Sequence, residues 1–143
     1  RLPGPGLPMK KSASRIQREV WFKLWGNMTM NPVSAITGAT TDKILDDPLV
    51  REFCSNVMRE AQAIGNTIGI PIAQTPDERH AITRKIGAMK TSMLQDVEAN
   101  KGIELDALVA AVAEIGQKVG VAAPYTDAML GLTRLMARGR GLY

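Results

Sequence analysis

The sequence predicts an all-α fold, and three observations carry that prediction. Apolar residues recur three and four apart through most of the chain, the spacing of one helical face. Asn31-Pro32, Asp47-Pro48 and Thr75-Pro76 each set a capping side chain before a proline, which marks a helix start. Aromatic residues are few (two each of Trp, Tyr and Phe), and no run shows the strict alternation of a half-buried strand.

The elements follow in order. Residues 1–13, with Pro3, Gly4, Pro5, Gly6 and Pro8, read as a linker, and residues 14–143 as one helical domain. A first helix is expected from about Ser14 to Met30, with Ile16, Val20 and Leu24 as its apolar stripe. Pro32 pushes Asn31 out of the helical region, so the pair ends this helix and can open a second, Asn31 as its N-cap, running to about Gly38. A short helical turn covers Thr41 to Leu45. Asp47-Pro48 starts a long helix with Val50, Phe53, Val57, Ala61, Ile64 and Ile68 on one face, stopped by Gly69 and Pro71. Thr75-Pro76-Asp77-Glu78 is a capping box for a helix expected to reach about Val97, with Ile82, Ile86, Met89 and Met93 inward. Asn100 to Gly102 is a turn; a helix then carries Leu105, Leu108, Val112, Ile115 and Val119 to Gly120. Pro124 opens the last helix, with Met129, Leu132, Leu135 and Met136 toward the core.

Composition bounds the function. At 143 residues, 45% hydrophobic and 22% charged, the chain suits one domain with its own core. No apolar run approaches the roughly 20 residues of a spanning helix, and no secretory signal is visible, so no membrane role is expected. The single cysteine, Cys54, excludes an internal disulfide and fits a reducing, cytoplasmic setting. The net charge of +4 gathers at the ends, in Arg1, Lys10, Lys11, Arg15 and Arg18 and in Arg134, Arg138 and Arg140. No nucleic-acid motif accompanies these charges, so solvated termini suffice and no nucleic-acid partner is expected. His80, the only histidine, lacks partners at metal-ligand spacing and reads as a surface residue; no metal site is expected. Cys54 has no base partner and reads as a small buried hydrophobe.

Three groups could carry chemistry. Lys23, Asn27 and Asn31 stand four residues apart, and steps of four drift by roughly 40° around a helix, so the three heads project from one side. That side also carries Ile16, Val20 and Leu24, so a polar partner, protein or ligand, must meet the amides. Lys23 is placed either for proton transfer or to snorkel along the core. Asn31 is either a ligand or a plain cap. Ser92 and Asp96 are one turn apart, and serine is not a preferred helical residue; they make a special contact or lie on a solvated face. Glu104, followed by Asp106, either complements a helix dipole or pairs with Lys23.

Together these groups resemble the carboxy-terminal domain of the ketopantoate reductase (2-dehydropantoate 2-reductase) family. The matching runs are Val20-Trp21-Phe22-Lys23-Leu24-Trp25-Gly26-Asn27-Met28-Thr29-Met30-Asn31-Pro32, then Ser92-Met93-Leu94-Gln95-Asp96, then Glu104-Leu105-Asp106 twelve residues after the serine. They stand in the family's order, and the resemblance covers about residues 15 to 138. It implies a helical bundle like the carboxy-terminal domain of 6-phosphogluconate dehydrogenase, paired with an amino-terminal Rossmann domain that these residues do not contain. NADPH would bind that other domain, with none held by this chain, and the substrate, ketopantoate or a related 2-keto acid, would sit between the two. A homodimer is compatible with this reading. The resemblance makes Lys23 the general acid and Glu104 the acid that contacts substrate and positions it. It makes Asn27, Asn31 and Ser92 the hydrogen-bonding partners of the substrate, and sets Asp96 behind them. Two departures stand out. Ile103 replaces a threonine common in the family, and Gly26 stands in a helix interior, where glycine costs about 1 kcal/mol against alanine. A reductase of another 2-keto acid, and a helical interaction module without catalysis, are the alternatives. The chain alone is expected to be inactive.

Overall fold

A computed structural model describes the backbone of residues 7–143 and the side chains of residues 15–143. Residues 1–6 of the expected linker lie outside the described residues. Helix α1 spans Leu7–Asn27, so it begins seven residues before the expected Ser14; Pro8 falls in its first turn, where a missing N–H is harmless. Among the described residues there is no strand, and no helix is long and apolar enough to cross a membrane.

The core face of α1 is not the expected stripe. Trp21 and Trp25 are buried, whereas Ile16 and Val20 are each 62% exposed. Both arcs are apolar, and the two indoles bury far more surface than an isoleucine and a valine, so they take the core. Lys23 and Asn27 therefore lie on a flank of the helix that faces outward, not against the core.

Helix α2, Met30–Thr37, starts after a two-residue break, with Thr29 at the N-cap position and Gly38 at its C-cap with φ 76°. Asn31 is inside α2, not its cap. Its Nδ2 instead donates to the carbonyl of Asn27, the last residue of α1, at 3.0 Å. Helix α3 is Thr41–Asp46.

Helix α4, Pro48–Thr67, is the central pillar. Its cap is Asp47, whose carboxylate accepts from the N–H groups of Leu49 at 2.9 Å and Val50 at 3.0 Å. Cys54, Val57, Met58, Ala61 and Ile64 form its buried face, against α1, α7 and α8. Burial pushes the Cys54 thiol up to about 12, so it remains a protonated small hydrophobe. At Gly65 a Cβ would lie 2.5 Å from Trp21 Nε1 and 2.8 Å from the Ile70 carbonyl, so only glycine lets α1 seat this closely.

The helix expected to run from Pro76 to Val97 is two. Helix α5, Pro76–Ile86, has the expected capping box. It stops at Gly87, whose φ of 82° an L side chain rarely adopts. Helix α6, Ser92–Glu98, starts at a cap by Thr91, whose hydroxyl accepts from Leu94 N at 3.2 Å. Ile82, Ile86 and Met89 are exposed, and the buried face of α5 is Pro76, His80 and Thr83. His80 is thus a core residue, paired to the buried Ser55 hydroxyl through Nε2 at 3.0 Å.

Burial holds the His80 imidazole below its ordinary 6.5, against an opposing pull from Asp77. The folded protein therefore keeps it neutral where the unfolded chain would bind a proton, and its stabilising contribution, full above pH 6.5, is lost as pH falls through the lowered folded value. The urea midpoint is expected to fall between pH 7.5 and 5, with a shallower fall in His80→Gln; equal slopes in the two proteins would overturn this.

A π-helical stretch, Asp106–Ala110, runs directly into α7, Ala111–Val119, which ends at Gly120 with φ 75°. Helix α8 is Pro124–Gly139. Its amino end is fastened by Glu60, whose carboxylate accepts from Tyr125 N at 2.9 Å and from Thr126 N and Oγ1 at 2.7 Å each. Met129 is buried as expected, but Leu132 and Leu135 are exposed, and Leu130, Thr133 and Ala137 take the inward face instead.

Candidate functional site

The break between α1 and α2 creates the site. It turns the chain so that Asn27, at the end of α1, and Asn31, in the first turn of α2, face the start of α6. Asn31 is the hinge of the arrangement. Its Nδ2 holds the α1 terminus, while its Oδ1 accepts from Ser92 Oγ at 3.3 Å and from Met93 N at 3.4 Å. Those last donors belong to the first turn of α6, whose free N–H groups favour an acceptor.

A second, buried link fixes the same junction. Ser34 Oγ accepts from Thr91 Oγ1 at 2.5 Å and donates to the Asn31 carbonyl at 2.9 Å. Ser34 and Thr91 are thus supports of the site that sequence reasoning missed. No local pattern distinguishes them, because their meeting joins positions 57 residues apart.

Around this junction lies a cavity of about 260 Å³ lined by Asn27, Asn31, Ser92, Met93, Asp96, Glu104, Ala107 and Leu108. It brings together five of the six candidate residues from three separate stretches of sequence. Asn27, Asn31 and Asp96 are half-buried, and Ser92 and Glu104 are exposed at its mouth. The wall from Ala107 and Leu108 comes from the π-helical stretch. Beside it Ile103 is buried and donates its N–H to the Leu142 carbonyl at 3.0 Å, so the approach to Glu104 is pinned by the carboxy-terminal tail.

The sixth candidate, Lys23, stands one helical turn before Asn27 on the same flank. It is exposed and is not among the residues lining the cavity. Among the described residues it forms no ion pair, so Lys23 and Glu104 are not joined as a salt bridge. The chemistry available is a cluster of neutral donors and acceptors and two carboxylates, with the exposed Lys23 ammonium one helical turn away on α1. Such a set can orient a small polar molecule and move a proton. Among the described residues no group of three or more His, Cys, Asp or Glu could hold a metal ion.

The family model for the ketopantoate reductase PanE/ApbA C-terminal domain matches residues 15–137. The chain is 44% identical over 128 residues to the 2-dehydropantoate 2-reductase of Mesorhizobium japonicum, an alignment covering 90% of this chain and 39% of that protein. A solved structure assigned to the ketopantoate reductases, from Ralstonia solanacearum MolK2, superposes with a TM-score of 0.85 at 62% identity, over 90% of this chain and 39% of that one. The 2-dehydropantoate 2-reductase of Methylococcus capsulatus superposes with a TM-score of 0.82 at 28% identity, over 87% of this chain and 44% of that one. The chain therefore spans about two fifths of the length of these relatives.

Proposed function

The chain belongs to the ketopantoate reductase PanE/ApbA C-terminal family, and from that membership we propose that it is the substrate-binding and catalytic helical domain of an NADP-dependent 2-dehydropantoate 2-reductase. The observation that carries the reading is the cavity on which Asn27, Asn31, Ser92, Asp96 and Glu104 converge, with Lys23 one turn along the same flank. The product would be pantoate, an intermediate on the way to coenzyme A.

In this proposal NADPH supplies hydride from a separate dinucleotide-binding domain. The residues of this chain bind, orient and protonate. Asn27, Asn31 and Ser92 hold the keto acid by directional hydrogen bonds. The oxygen of the keto group gains negative charge as its carbon is reduced, and the Lys23 ammonium gives it a proton. Glu104 draws the Lys23 head inward once substrate fills the space. Asp96 supports Ser92 from the next turn of α6.

The test uses the full-length protein and this chain side by side. With NADPH, the full-length protein is expected to reduce ketopantoate to pantoate, followed as loss of reduced-nicotinamide absorbance. The 143-residue chain with the same reagents is expected to give no turnover. Turnover by the chain alone, or a full-length protein inert toward ketopantoate and other 2-keto acids, would sink the reading.

A further inference from the structure

Gly26 has a neighbour that explains it. The side chain of Arg79, from α5, crosses α1 there, and a Cβ at position 26 would fall 2.4 Å from Arg79 Nε and 2.8 Å from Nη2. Helix propensity is given up at position 26, and the space is filled by a guanidinium. Arg79 Nη1 donates to Thr83 Oγ1 at 3.1 Å, which steadies the group. Among the described residues no carboxylate lies within 4 Å of it.

Arg79 lines a second cavity, of about 220 Å³, which shares Asn27, Asn31 and Ser92 with the first. The two cavities differ in charge. The charged residues of the first are Asp96 and Glu104; Arg79 is the charged residue of the second. A 2-keto acid carries its negative charge at one end. That end is repelled by Asp96 and Glu104 and attracted by Arg79, whose planar fork matches a carboxylate in two parallel hydrogen bonds.

We propose that Arg79 is the receptor for the substrate's carboxylate. The keto acid then lies across Asn27, Asn31 and Ser92, its carboxylate toward Arg79 and its uncharged end toward Asp96 and Glu104. Gly26 is the clearance that lets the guanidinium reach this position. The assignment rests on the 2-keto acid reading above and fixes the direction in which the substrate lies.

The test compares ketopantoate with its uncharged 2-keto amide, using the full-length protein and NADPH. The wild type is expected to prefer the acid in kcat/KM. Arg79→Gln is expected to raise KM for the acid roughly tenfold to a hundredfold, the range for a hydrogen bond to a charged group, and to abolish the preference for acid over amide. Arg79→Lys should retain part of that preference. Gly26→Ala, which displaces the guanidinium, should shift it the same way as Arg79→Gln and decides the matter if circular dichroism shows the Arg79 variants misfolded. A merely structural role would weaken acid and amide alike, so a preference unchanged by these substitutions overturns the proposal alone. A wild type that neither reduces nor binds any 2-keto acid overturns the functional reading, and this proposal with it.

Discussion

Lys23→Ala in the full-length protein is expected to lower kcat for ketopantoate reduction by roughly a hundredfold to ten-thousandfold, the usual contribution of a positioned general acid. The structure places this lysine on an exposed flank without an ion-pair partner among the described residues. Among the described residues its ammonium has no ion pair to lose, so the substitution should leave the unfolding midpoint nearly unchanged while removing the proposed proton donor. Lys118→Ala is the control. Lys118 is also exposed and, among the described residues, pairs with Glu114 at 3.4 Å on the same helix face, an interaction of little weight. Added small primary amines should restore part of the lost turnover in Lys23→Ala, because the missing function is an ammonium at one place. Equal kinetic effects of the two substitutions would remove Lys23 from the mechanism.

The sequence disclosed what is local. Asp47 and the Thr75–Glu78 box cap the helices that follow them because the hydrogen bonds involved span only two or three residues. Helix ends at Gly38 and Gly120 follow from a single residue each. What failed was the choice between faces. α1 and α8 each carry more apolar residues than one face holds, and periodicity does not say which arc meets the core. The inward face of α5 is polar, His80 and Thr83, because Ser55 waits opposite; no hydrophobic pattern can mark it.

The candidate site was legible for a different reason. Spacing alone left Lys23, Asn31, Ser92 and Glu104 each with an ordinary structural reading, and only their common order tied them to one family. In the fold Asn27, Asn31, Ser92, Asp96 and Glu104 line one cavity. Asn31 is not the cap of α2; its side chain holds the end of α1 instead and lines the cavity. Arg79 escaped notice because its partner is a glycine on another helix, and the clue, Gly26, looked like a defect in α1.

Trp25→Ala is expected to cost about 3–5 kcal/mol of folding stability, the range for removing a large buried aromatic. Trp25 is 1% exposed, and its indole N–H donates to the Met58 carbonyl on α4 at 2.9 Å. Truncation would empty the space between α1 and α4 and break the bond that sets how far α1 slides along its neighbour. Trp25→Phe separates the two effects: it keeps much of the volume and loses the hydrogen bond, itself about 0.5–1.5 kcal/mol, so it should fall well short of the alanine change. Urea unfolding followed by circular dichroism, which needs no tryptophan, measures both; a loss under about 1 kcal/mol for Trp25→Ala would show that the indole does not anchor the helix. The consequence reaches the site. Gly26 and Asn27 follow Trp25 directly, one beneath the Arg79 guanidinium and the other on both cavities. A shift of α1 that a buried indole no longer resists would move the carboxamide and the lysine together against Ser92 and Glu104. Trp25→Ala should therefore weaken the proposed keto acid binding even at temperatures where the protein remains folded.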